Sequence, residues 1–403
     1  MRVAVLTETY SKRMGYASHC LPKALAALGT ETHVITTRLA PYHHLPDFDR
    51  TYGIFVSAKG PQLPVESVDG YTVHYLPHKA RLGYVWLIGL RSALIQIRPD
   101  VVQTFAVLSW LPLQAVFSKV ETRFKFFTGN HTTASVFPLA QRQGLRFWER
   151  EVLKSRLTRA LPGRFVSHFS LKCYAATRDC ADVAVRFFGV PKRKIEVCPL
   201  GVDTDIFFPV TSVELAEDRE SLRGELGFAR DEIVCVYSGR FSDDKNPLAL
   251  AKAVSKLVAG GQRFRALFLG DGVQADALRN CSGSVVRPFV PFSELGALYR
   301  ATDIGVWPTQ ESTSMLDAAA CGLPVIVNDT LAAVERIEGN GITYRLNDVD
   351  DLCHALMGLR DTTTRRKLGD AGALKMARDF SWRSIAERRL RDYEVALSPR
   401  QAG

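Results

Sequence analysis

Short apolar runs alternate with helix-length segments along this 403-residue chain, and that alternation restricts the fold more than any other sequence feature. Apolar runs bounded by polar residues predict buried strands, and helical segments between them predict the crossovers of a parallel sheet. In the first half, strands are predicted at 2–9, 32–37, 100–107 and 124–131, with helices at 20–28 and 85–97. The sequence therefore predicts an α/β fold.

A second alternation of the same kind begins near residue 232. Its predicted elements are strands at 232–239, 264–270, near Val285, 303–308 and 324–329, with a helix at 246–259. The polar and acidic segment 209–227 is typical of a domain connection. We predict two doubly wound, Rossmann-like parallel-sheet domains, residues 1–205 and 206–380. Ligands of such sheets bind outside the carboxyl ends of the strands, so we expect a site in a cleft that both domains face.

Composition is that of an ordinary soluble protein, with 46% hydrophobic and 23% charged residues. No run of 18 apolar residues occurs, and the amino terminus enters a strand without a signal-peptide pattern, which favours the cytoplasm. The eight cysteines have neither CxxC spacing nor regular pairing, so we expect reduced, buried thiols and no zinc site. They are Cys20, Cys173, Cys180, Cys198, Cys235, Cys281, Cys321 and Cys353.

The positive charge is concentrated in the first half. Residues 1–200 contain 27 Lys and Arg against 13 Asp and Glu, whereas residues 201–403 contain 25 against 29. Such a field attracts an anionic partner, for example a phosphate-bearing acceptor, an acidic membrane or a nucleic acid. Solvated Arg-rich helices explain the same composition. The basic half lacks interleaved aromatic residues on a nucleic-acid-binding pattern, so a nucleic-acid partner is not expected.

A basic pair and an acidic pair follow two predicted strands of the second half. Arg240 and Lys245 lie just after the strand that ends at Gly239, and Glu311 and Asp317 lie at the start of a predicted helix. Two cations can neutralise a diphosphate, while carboxylates accept hydrogen bonds from sugar and ribose hydroxyls. The combination indicates a sugar-nucleotide site, although solvated loop cations and an acidic first helical turn are the plain alternatives.

Several motifs in order resemble one enzyme family. GVDTDIFFP, SGRFSDDKNP, FLGDGV, ATDIGVWPTQES, AAACGLPVIVND, GNGITYRLND and FSWRSIAERRLRDYEVAL together resemble the retaining glycosyltransferases of family 4, which have the GT-B fold. The resemblance implies sugar transfer from a nucleoside diphosphate sugar to an acceptor. It also implies that the second domain holds the nucleotide, that the first holds most of the acceptor site, and that a terminal helix, here 381–400, returns to the first domain.

The resemblance assigns roles to four residues outside the acidic segment. Arg240 and Lys245 would stabilise the charge that develops on the departing diphosphate, so no metal ion or other cofactor is expected. His131, at a predicted strand end, would hydrogen-bond a donor hydroxyl, and the backbone of Gly15 would approach the diphosphate. A structural histidine and a plain turn are the alternatives. Base-side contacts are expected from the backbone of 287–291, with Phe289 at its centre.

The acidic segment departs from the family pattern of two glutamates separated by seven residues with a glycine turn between them. Asp317 occupies the second position and is expected to accept a ribose hydroxyl, but Glu311 lies two residues too close to it. A loop shortened by two residues displaces a carboxylate by up to about 7 Å, which leaves the donor-sugar contact of Glu311 open. A Ser or Thr side chain of the turn is expected to cap the helix, and the free amides at 313–315 are expected to face a phosphate. The turn residues concerned are Ser312, Thr313, Ser314 and Met315.

Residues 141–165 form a basic segment with an apolar stripe in its pattern. As one helix it would place Leu145, Trp148, Val152 and Leu157 near one face, surrounded by cations. Such a helix can lie on an anionic membrane and bring the enzyme to a lipid-linked acceptor. A core helix with a solvated cationic face fits equally. Together with the family resemblance, this suggests a role in bacterial surface polysaccharide or glycolipid synthesis.

Other motifs point away from rival chemistries. Asp348 and Asp350 form a DxD, but their place before a helix favours capping over metal binding. Gly270 and Gly272 lack the third glycine and the distant acid of a dinucleotide site. Two alternatives to transfer remain: a GT-B epimerase or phosphorylase, and a non-catalytic glycosyltransferase partner subunit. The sequence does not specify the sugar, the acceptor, or the choice between uridine and guanosine diphosphate.

Overall fold

A computed structural model describes residues 1–45, 48–53, 56, 63–81, 83–142, 144, 146, 148–309 and 311–398. The strands are β1 (Arg2–Leu6), β2 (Glu31–Thr36), β3 (Val65–Val68), β4 (Tyr71–Tyr75), β5 (His78–Arg81), β6 (Tyr84–Leu87), β7 (Val101–Thr104), β8 (Lys125–Asn130), β9 (Cys173–Ala175), β10 (Ile195–Val197), β11 (Ile233–Ser238), β12 (Phe264–Leu269), β13 (Ser284–Arg287), β14 (Ile304–Trp307), β15 (Val325–Asn328) and β16 (Gly341–Tyr344).

Helices connect most of these strands. They are α1 (Ala17–Ala27), α2 (Phe48–Thr51), α3 (Leu90–Ile97), α4 (Trp110–Thr122), α5 (Pro138–Gln141), α6 (Arg150–Ser155), α7 (Leu161–Phe169), α8 (Arg178–Phe187), α9 (Val213–Glu225), α10 (Leu248–Ala259), α11 (Ala275–Arg279), α12 (Phe292–Arg300), α13 (Ser314–Ala320), α14 (Val349–Gly358), α15 (Thr362–Asp379) and α16 (Trp382–Leu397). A π-helical segment, Arg156–Ala160, joins α6 to α7, and 3₁₀ turns occur at Ala134–Val136, Lys192–Lys194 and Val334–Arg336.

The chain divides into two compact units. The first unit consists of Met1–His43, Val56–Leu200 and Trp382–Gly403, and the second of His44–Phe55 and Gly201–Ser381. The main division therefore falls between residues 200 and 201, five residues before the boundary suggested by sequence. The inclusion of residues 44–55 in the second unit has no counterpart in the sequence pattern.

The main sheet of the first unit has the strand order β10-β9-β8-β7-β1-β2-β4-β3. All neighbouring pairs are parallel except β3 with β4. β1 lies at a crossover point, because the chain adds β2 on one side of it and β7 on the other. Its residues from Val3 to Leu6 are buried, as expected for a central parallel strand covered on both faces.

The helix predicted at 85–97 begins later than expected. Tyr84–Leu87 forms β6, which pairs antiparallel with β5 in a separate hairpin, and only Leu90–Ile97 is helical. Val85 and Leu87 alternate with less buried neighbours, and Gly89 adopts a left-handed conformation with φ of 83° before the helix. The apolar run therefore combines a strand and a helix, which periodicity over so short a stretch does not separate.

The terminal helix α16 belongs to the first unit, as the family resemblance implied. Its buried face carries Trp382, Ile385 and Tyr393, which join the core that contains Val3 and Val5. Polar contacts fix the same helix, since Asp392 accepts hydrogen bonds from Lys172 Nζ at 2.6 Å and Tyr174 Oη at 2.8 Å. Burial of the apolar stripe explains why the helix docks although its other face is strongly charged.

The second unit contains a fully parallel sheet in the order β13-β12-β11-β14-β15-β16. Here β11 lies at the crossover point, with β12 on one side and β14 on the other. A Cβ atom at Gly270 would lie 1.9 Å from the carbonyl oxygen of Gly239, so a side chain there would push apart the ends of β11 and β12. The two Rossmann-like domains predicted from the alternation are thus present.

The polar segment 209–227 is not the domain connection that its composition predicts, because most of it is α9 in the second unit. Ser212 Oγ caps the helix by accepting from the amide of Leu215 at 3.3 Å. The Arg223 side chain is only 2% exposed, and it donates to Asp303 at 3.1 Å and to the carbonyl of Ala301 at 3.0 Å. A buried ion pair, rather than an apolar stripe, attaches this helix, which explains why hydrophobic patterning missed it.

The basic segment 141–165 is not one helix. Its regular part begins at Arg150, and the π-helical segment interrupts it after Ser155. Trp148 and Val152 therefore do not share a continuous helical face with Leu157, and Leu145 lies outside the described residues. The exposed apolar residues of α6, the π segment and α7 are instead Leu153, Leu157, Leu161 and Phe165.

The structure also bears on two expectations drawn from composition, which concern the cysteines and membrane-spanning segments. All eight cysteines are free, and all are buried except the half-buried Cys281. Burial raises the pKa of the Cys173 thiol to about 12, which is typical of a structural rather than a reactive cysteine. Within the described ranges, no helix combines the length and apolar character needed to cross a membrane.

Candidate functional site

The basic pair lies at the crossover point of the second unit, after the carboxyl end of β11. Hydrogen bonds fix the loop that carries the pair, among them those from Tyr237 Oη to the carbonyl of Arg240 at 2.9 Å and from the amide of Phe241 to the carbonyl of Asp271 at 2.9 Å. Both cationic side chains are half-buried, whereas the neighbouring Asp243 and Asp244 are exposed, as predicted.

Lys245 links the ends of β11 and β14. Its Nζ donates a hydrogen bond to the carbonyl oxygen of Glu311 at 3.0 Å, and Glu311 lies in the loop that follows β14. These two strands are neighbours in the sheet, so the contact lies where the chain reverses its direction of strand addition. In open α/β sheets this crossover point is where ligands bind.

The electrostatics of the pair suit an anion. Burial is the main cause that lowers the pKa of the Lys245 ammonium, and the nearby Arg240 also lowers it, while Asp244 and Glu311 act in the opposite direction. The Arg240 guanidinium makes no hydrogen bond or ion pair with any residue that the structure describes. A half-buried guanidinium beside a desolvated ammonium is repulsive, and a bound diphosphate would relieve that repulsion.

Glu311 has a partner that sequence reasoning missed. Its carboxylate accepts a hydrogen bond from Arg336 at 3.2 Å, and the two side chains are only 13% and 6% exposed. Arg336 comes from a 3₁₀ turn with no recognisable motif, so only the folded chain reveals the pair. The carboxylate predicted to contact the donor sugar therefore also stabilises its own loop.

Asp317 lies in the first turn of α13, and its side chain is buried. Burial raises the pKa of its carboxyl well above the usual range, and the charge of Asp203 acts in the same direction. A protonated carboxyl both donates and accepts hydrogen bonds, which is compatible with a ribose hydroxyl as partner. Its ribose contact stays a prediction.

The expectation that free amides of the serine turn face a phosphate is wrong for two of the three amides. The amide of Ser314 donates to Ser312 Oγ at 3.3 Å, and that of Met315 donates to the carbonyl of Ser312 at 3.4 Å. Ser314 Oγ in turn accepts from Trp307 Nε1 at 3.1 Å. The hydroxyls that replace the family's glycine turn satisfy these polar groups within the turn, and the phosphate contact of the Thr313 amide stays a prediction.

Phe289 lies just beyond β13 and is half-buried. Its ring contacts the ring of Tyr52 from the 44–55 segment, with centroids 5.2 Å apart and planes inclined by 33°. An aromatic pair at a strand end offers a flat surface for a nucleobase. The sequence placed Phe289 there, but gave no signal for Tyr52.

The first unit carries the two remaining candidates at strand ends. His131 follows β8, and its ring centroid lies 5.8 Å from that of Phe105, which follows β7. Asn130 fixes the end of β8 by donating to the carbonyl of Cys180 at 2.8 Å. Gly15 has φ of 63° in the turn before α1, a conformation that favours glycine. Both residues therefore lie in loops at the carboxyl side of the first sheet.

Comparisons with known proteins agree with this architecture. A family model described as Glycosyltransferase Family 4 matches residues 19–206, and a model described as Glycosyl transferases group 1 matches residues 232–361. The chain belongs to glycosyltransferase family 4. The two matched segments correspond to the two alternations from which the sequence predicted two domains.

Relatives and solved structures extend this family assignment. D-inositol 3-phosphate glycosyltransferases from Xylanimonas cellulosilytica and Nocardia farcinica are 31% and 29% identical over 57% and 55% of this chain. The alignments cover 58% and 52% of those relatives, so the chain spans little more than half their length. Sucrose-phosphate synthase from Thermosynechococcus elongatus has a TM-score of 0.70 at 17% identity, with 98% of each chain covered.

The Anabaena protein HepE, solved with UDP and glucose, has a TM-score of 0.68 at 14% identity and covers 98% of this chain and 99% of its own. At such identities the likeness concerns the fold, and this family 4 chain has the GT-B fold.

The remaining acidic motif of this family 4 chain is structural. Asp348 caps α14, since its side chain accepts a hydrogen bond from the amide of Asp351 at 2.9 Å. Asp350 pairs with Lys256 on the surface. The DxD is therefore a helix cap, as predicted, and the described ranges contain no group of three His, Cys, Asp or Glu residues arranged to hold a metal ion.

Proposed function

We propose that this family 4 glycosyltransferase transfers a sugar from a nucleoside diphosphate sugar to an acceptor hydroxyl, with retention of anomeric configuration. The observation that carries the proposal is the pairing of Arg240, free of ionic partners in the described chain, with the desolvated Lys245 at the β11 crossover point. The Anabaena neighbour is named with UDP and UDP-glucose, which makes these the first donors to test.

In the proposed reaction the bond between the anomeric carbon and the diphosphate oxygen breaks, and its electron pair stays on the diphosphate. The acceptor oxygen bonds to the same face of the anomeric carbon, and its proton passes to the departing phosphate. Arg240 and Lys245 stabilise the developing negative charge, so the proposal requires neither a metal ion nor a protein base. Asp317 holds the ribose and His131 a donor hydroxyl.

Substitution of the two cations tests this proposal. A hydrogen bond to a charged group contributes about 1.5–3 kcal/mol, so Lys245→Ala and Arg240→Ala should each weaken UDP binding about 10- to 100-fold. Lys252→Ala is the matched control, because Lys252 is an exposed lysine on the adjacent α10. The measurements are calorimetric UDP affinity and sugar transfer. Unchanged UDP affinity in both cation variants would contradict the proposal.

The same protein preparation separates transfer from its alternatives. An epimerase would convert the sugar nucleotide without an acceptor, and a phosphorylase would release a sugar phosphate when inorganic phosphate is supplied. A partner subunit would turn over no donor by itself. Chromatography of UDP-glucose incubated with protein alone, with phosphate and with candidate sugars distinguishes all three outcomes.

An anionic membrane is proposed as a further partner, with glycolipid or surface polysaccharide synthesis on the cytoplasmic side as the setting. The exposed row Leu153, Leu157, Leu161 and Phe165 has four-residue spacing. A four-residue step drifts about 40° around an α-helix, and the wider turn of the π segment offsets that drift.

Exposed cations border this row, and further apolar side chains continue it. Arg156 and Arg164 are exposed beside the row, while Phe117 on α4 is exposed and its ring contacts that of Phe165. Apolar side chains surrounded by cations fit a surface of anionic headgroups over acyl chains. The row replaces the stripe through Trp148 and Val152 that the sequence suggested.

A further inference from the structure

A second crossover point lies in the first unit, between β1 and β7. An open cavity of about 230 Å³ occurs at their carboxyl ends. It is lined on one side by residues that follow β1, including Glu8, and on the other by residues that follow β7, including Phe105 and Ser109. The site in the second unit occupies the equivalent position in its own sheet, between β11 and β14. The geometry thus marks a second ligand site, in the first unit.

Among the described residues that line this cavity, Glu8 is the one with a charged side chain. Burial is the main cause that raises the pKa of its carboxyl, while hydrogen bonds from the Ser109 side chain and the backbone of Val85 oppose the rise. The carboxylate oxygen Oε1 of Glu8 is buried and has no hydrogen-bond partner within the described chain. A buried acceptor without a donor is unfavourable, and a ligand hydroxyl would remove that cost.

The remaining lining of the cavity limits the ligand further. Phe105, Leu108 and Leu111 supply an apolar wall, while Thr7 and Thr104 supply hydroxyl oxygens. An apolar wall opposite polar groups suits a sugar ring, which has both C–H faces and hydroxyl edges. The volume corresponds to about eight liquid waters, the scale of one monosaccharide ring. A carboxylate favours hydroxyl donors and repels a phosphate.

The family resemblance implies an acceptor site in the first domain, and we propose that Glu8 makes this cavity selective for the hydroxyl groups of an uncharged sugar or cyclic polyol. The inference rests on the proposed sugar transfer. Phe105 joins the cavity to the candidate donor contact, because its ring also contacts that of His131. The curated relatives are named for a phosphorylated acceptor, D-inositol 3-phosphate. Because Glu8 lines the cavity, we predict that this chain uses an uncharged acceptor, in contrast to the phosphorylated compound for which these relatives are named.

The test compares uncharged probes with their phosphates on the full chain. Glucose and myo-inositol, and a monophosphate of each, are offered with UDP bound, and binding is measured by saturation-transfer NMR. The wild type should bind the uncharged probes more tightly than the phosphates. Glu8→Gln should weaken binding of uncharged probes about tenfold or more while UDP affinity is unchanged. Glu8→Lys should reverse the preference. Glu121→Gln, which removes an exposed carboxylate on α4, is the matched control.

A second variant avoids dependence on the stability of Glu8 variants. Ala106 also lines the cavity and is half-buried, so Ala106→Leu should fill the cavity and abolish probe binding without altering UDP affinity. The inference is overturned if Glu8→Gln binds the uncharged probes as the wild type does, if the wild type prefers phosphates, or if it binds UDP but no uncharged probe. Failure of the wild type to bind any nucleotide would instead contradict the proposed function.

Discussion

Removal of Arg336 should destabilise the second unit and disturb donor binding together. The Arg336 guanidinium lies 3.2 Å from the Glu311 carboxylate, and both side chains are largely withdrawn from water. The backbone carbonyl of the same Glu311 accepts the hydrogen bond from Lys245. Loss of the ion pair therefore loosens the loop that positions one of the two proposed diphosphate cations.

The size of the effect follows from this geometry. At 3.2 Å and an effective dielectric constant of about 20, two unit charges attract by about 5 kcal/mol. Removing one member of a buried pair costs about 3–5 kcal/mol, because the other charge stays buried without a partner. We expect Arg336→Met to lower the free energy of unfolding by about 3 kcal/mol. For a unit of this size, that is a fall in melting temperature of about 6–12 °C.

The assay is a double-mutant cycle of Glu311→Gln and Arg336→Met, followed by urea unfolding. Trp307 reports on the correct region, because it is buried in the second unit and its indole bonds Ser314 in the adjoining turn. A coupling energy of about 1–3 kcal/mol is expected. The exposed pair of Arg279 and Asp276 in the same unit is the control, with coupling below about 0.5 kcal/mol.

Two results would refute this reasoning. Strictly additive free energies in the cycle would show that the two buried charges do not stabilise each other. A Michaelis constant for the donor that is unchanged in Arg336→Met, despite the loss of stability, would show that the Glu311 loop does not control the position of Lys245. In that case Glu311 would act on the donor independently of its ion pair.

Two further predictions concern the surface and pH. Leu157→Glu and Phe165→Glu should abolish salt-sensitive flotation with anionic vesicles. Leu374→Glu, which changes an exposed leucine of the second unit, is the control and should still float. Equal flotation of all variants would refute the proposed membrane surface. Burial lowers the pKa of Lys375 to about 8, so the folded state releases that proton before the unfolded state does. Between pH 8 and about 10 the free energy of unfolding of the wild type should therefore rise relative to that of Lys375→Met, by about 1 kcal/mol after solvent screening. Urea unfolding at several pH values measures this difference. A difference that does not change with pH would contradict the prediction.

The architecture was predictable because its signals are local. Buried strands such as β1 and β11 are continuous apolar runs, and a loop after a parallel strand must emerge at the carboxyl edge of the sheet. These local signals are sufficient to predict Arg240, Lys245 and His131 at strand ends. The errors occurred where local pattern was ambiguous. The apolar run from Val85 to Ile97 contains the end of a strand and a whole helix. Helix α9 is held to the second unit by the Arg223–Asp303 ion pair, so its sequence shows no apolar stripe.

The order of apolar and polar residues along the chain is sufficient to specify two parallel sheets and the cations that follow β11, since both depend on neighbours in sequence. Long-range packing alone brings Arg336 to Glu311, Tyr52 to Phe289 and Ser109 to Glu8. In each pair the partners are tens to hundreds of residues apart, and their contact depends on how strands are ordered in the sheet and how loops pack at its edge. No periodicity in the sequence encodes that order, so the partners of the site residues become known only from the folded chain.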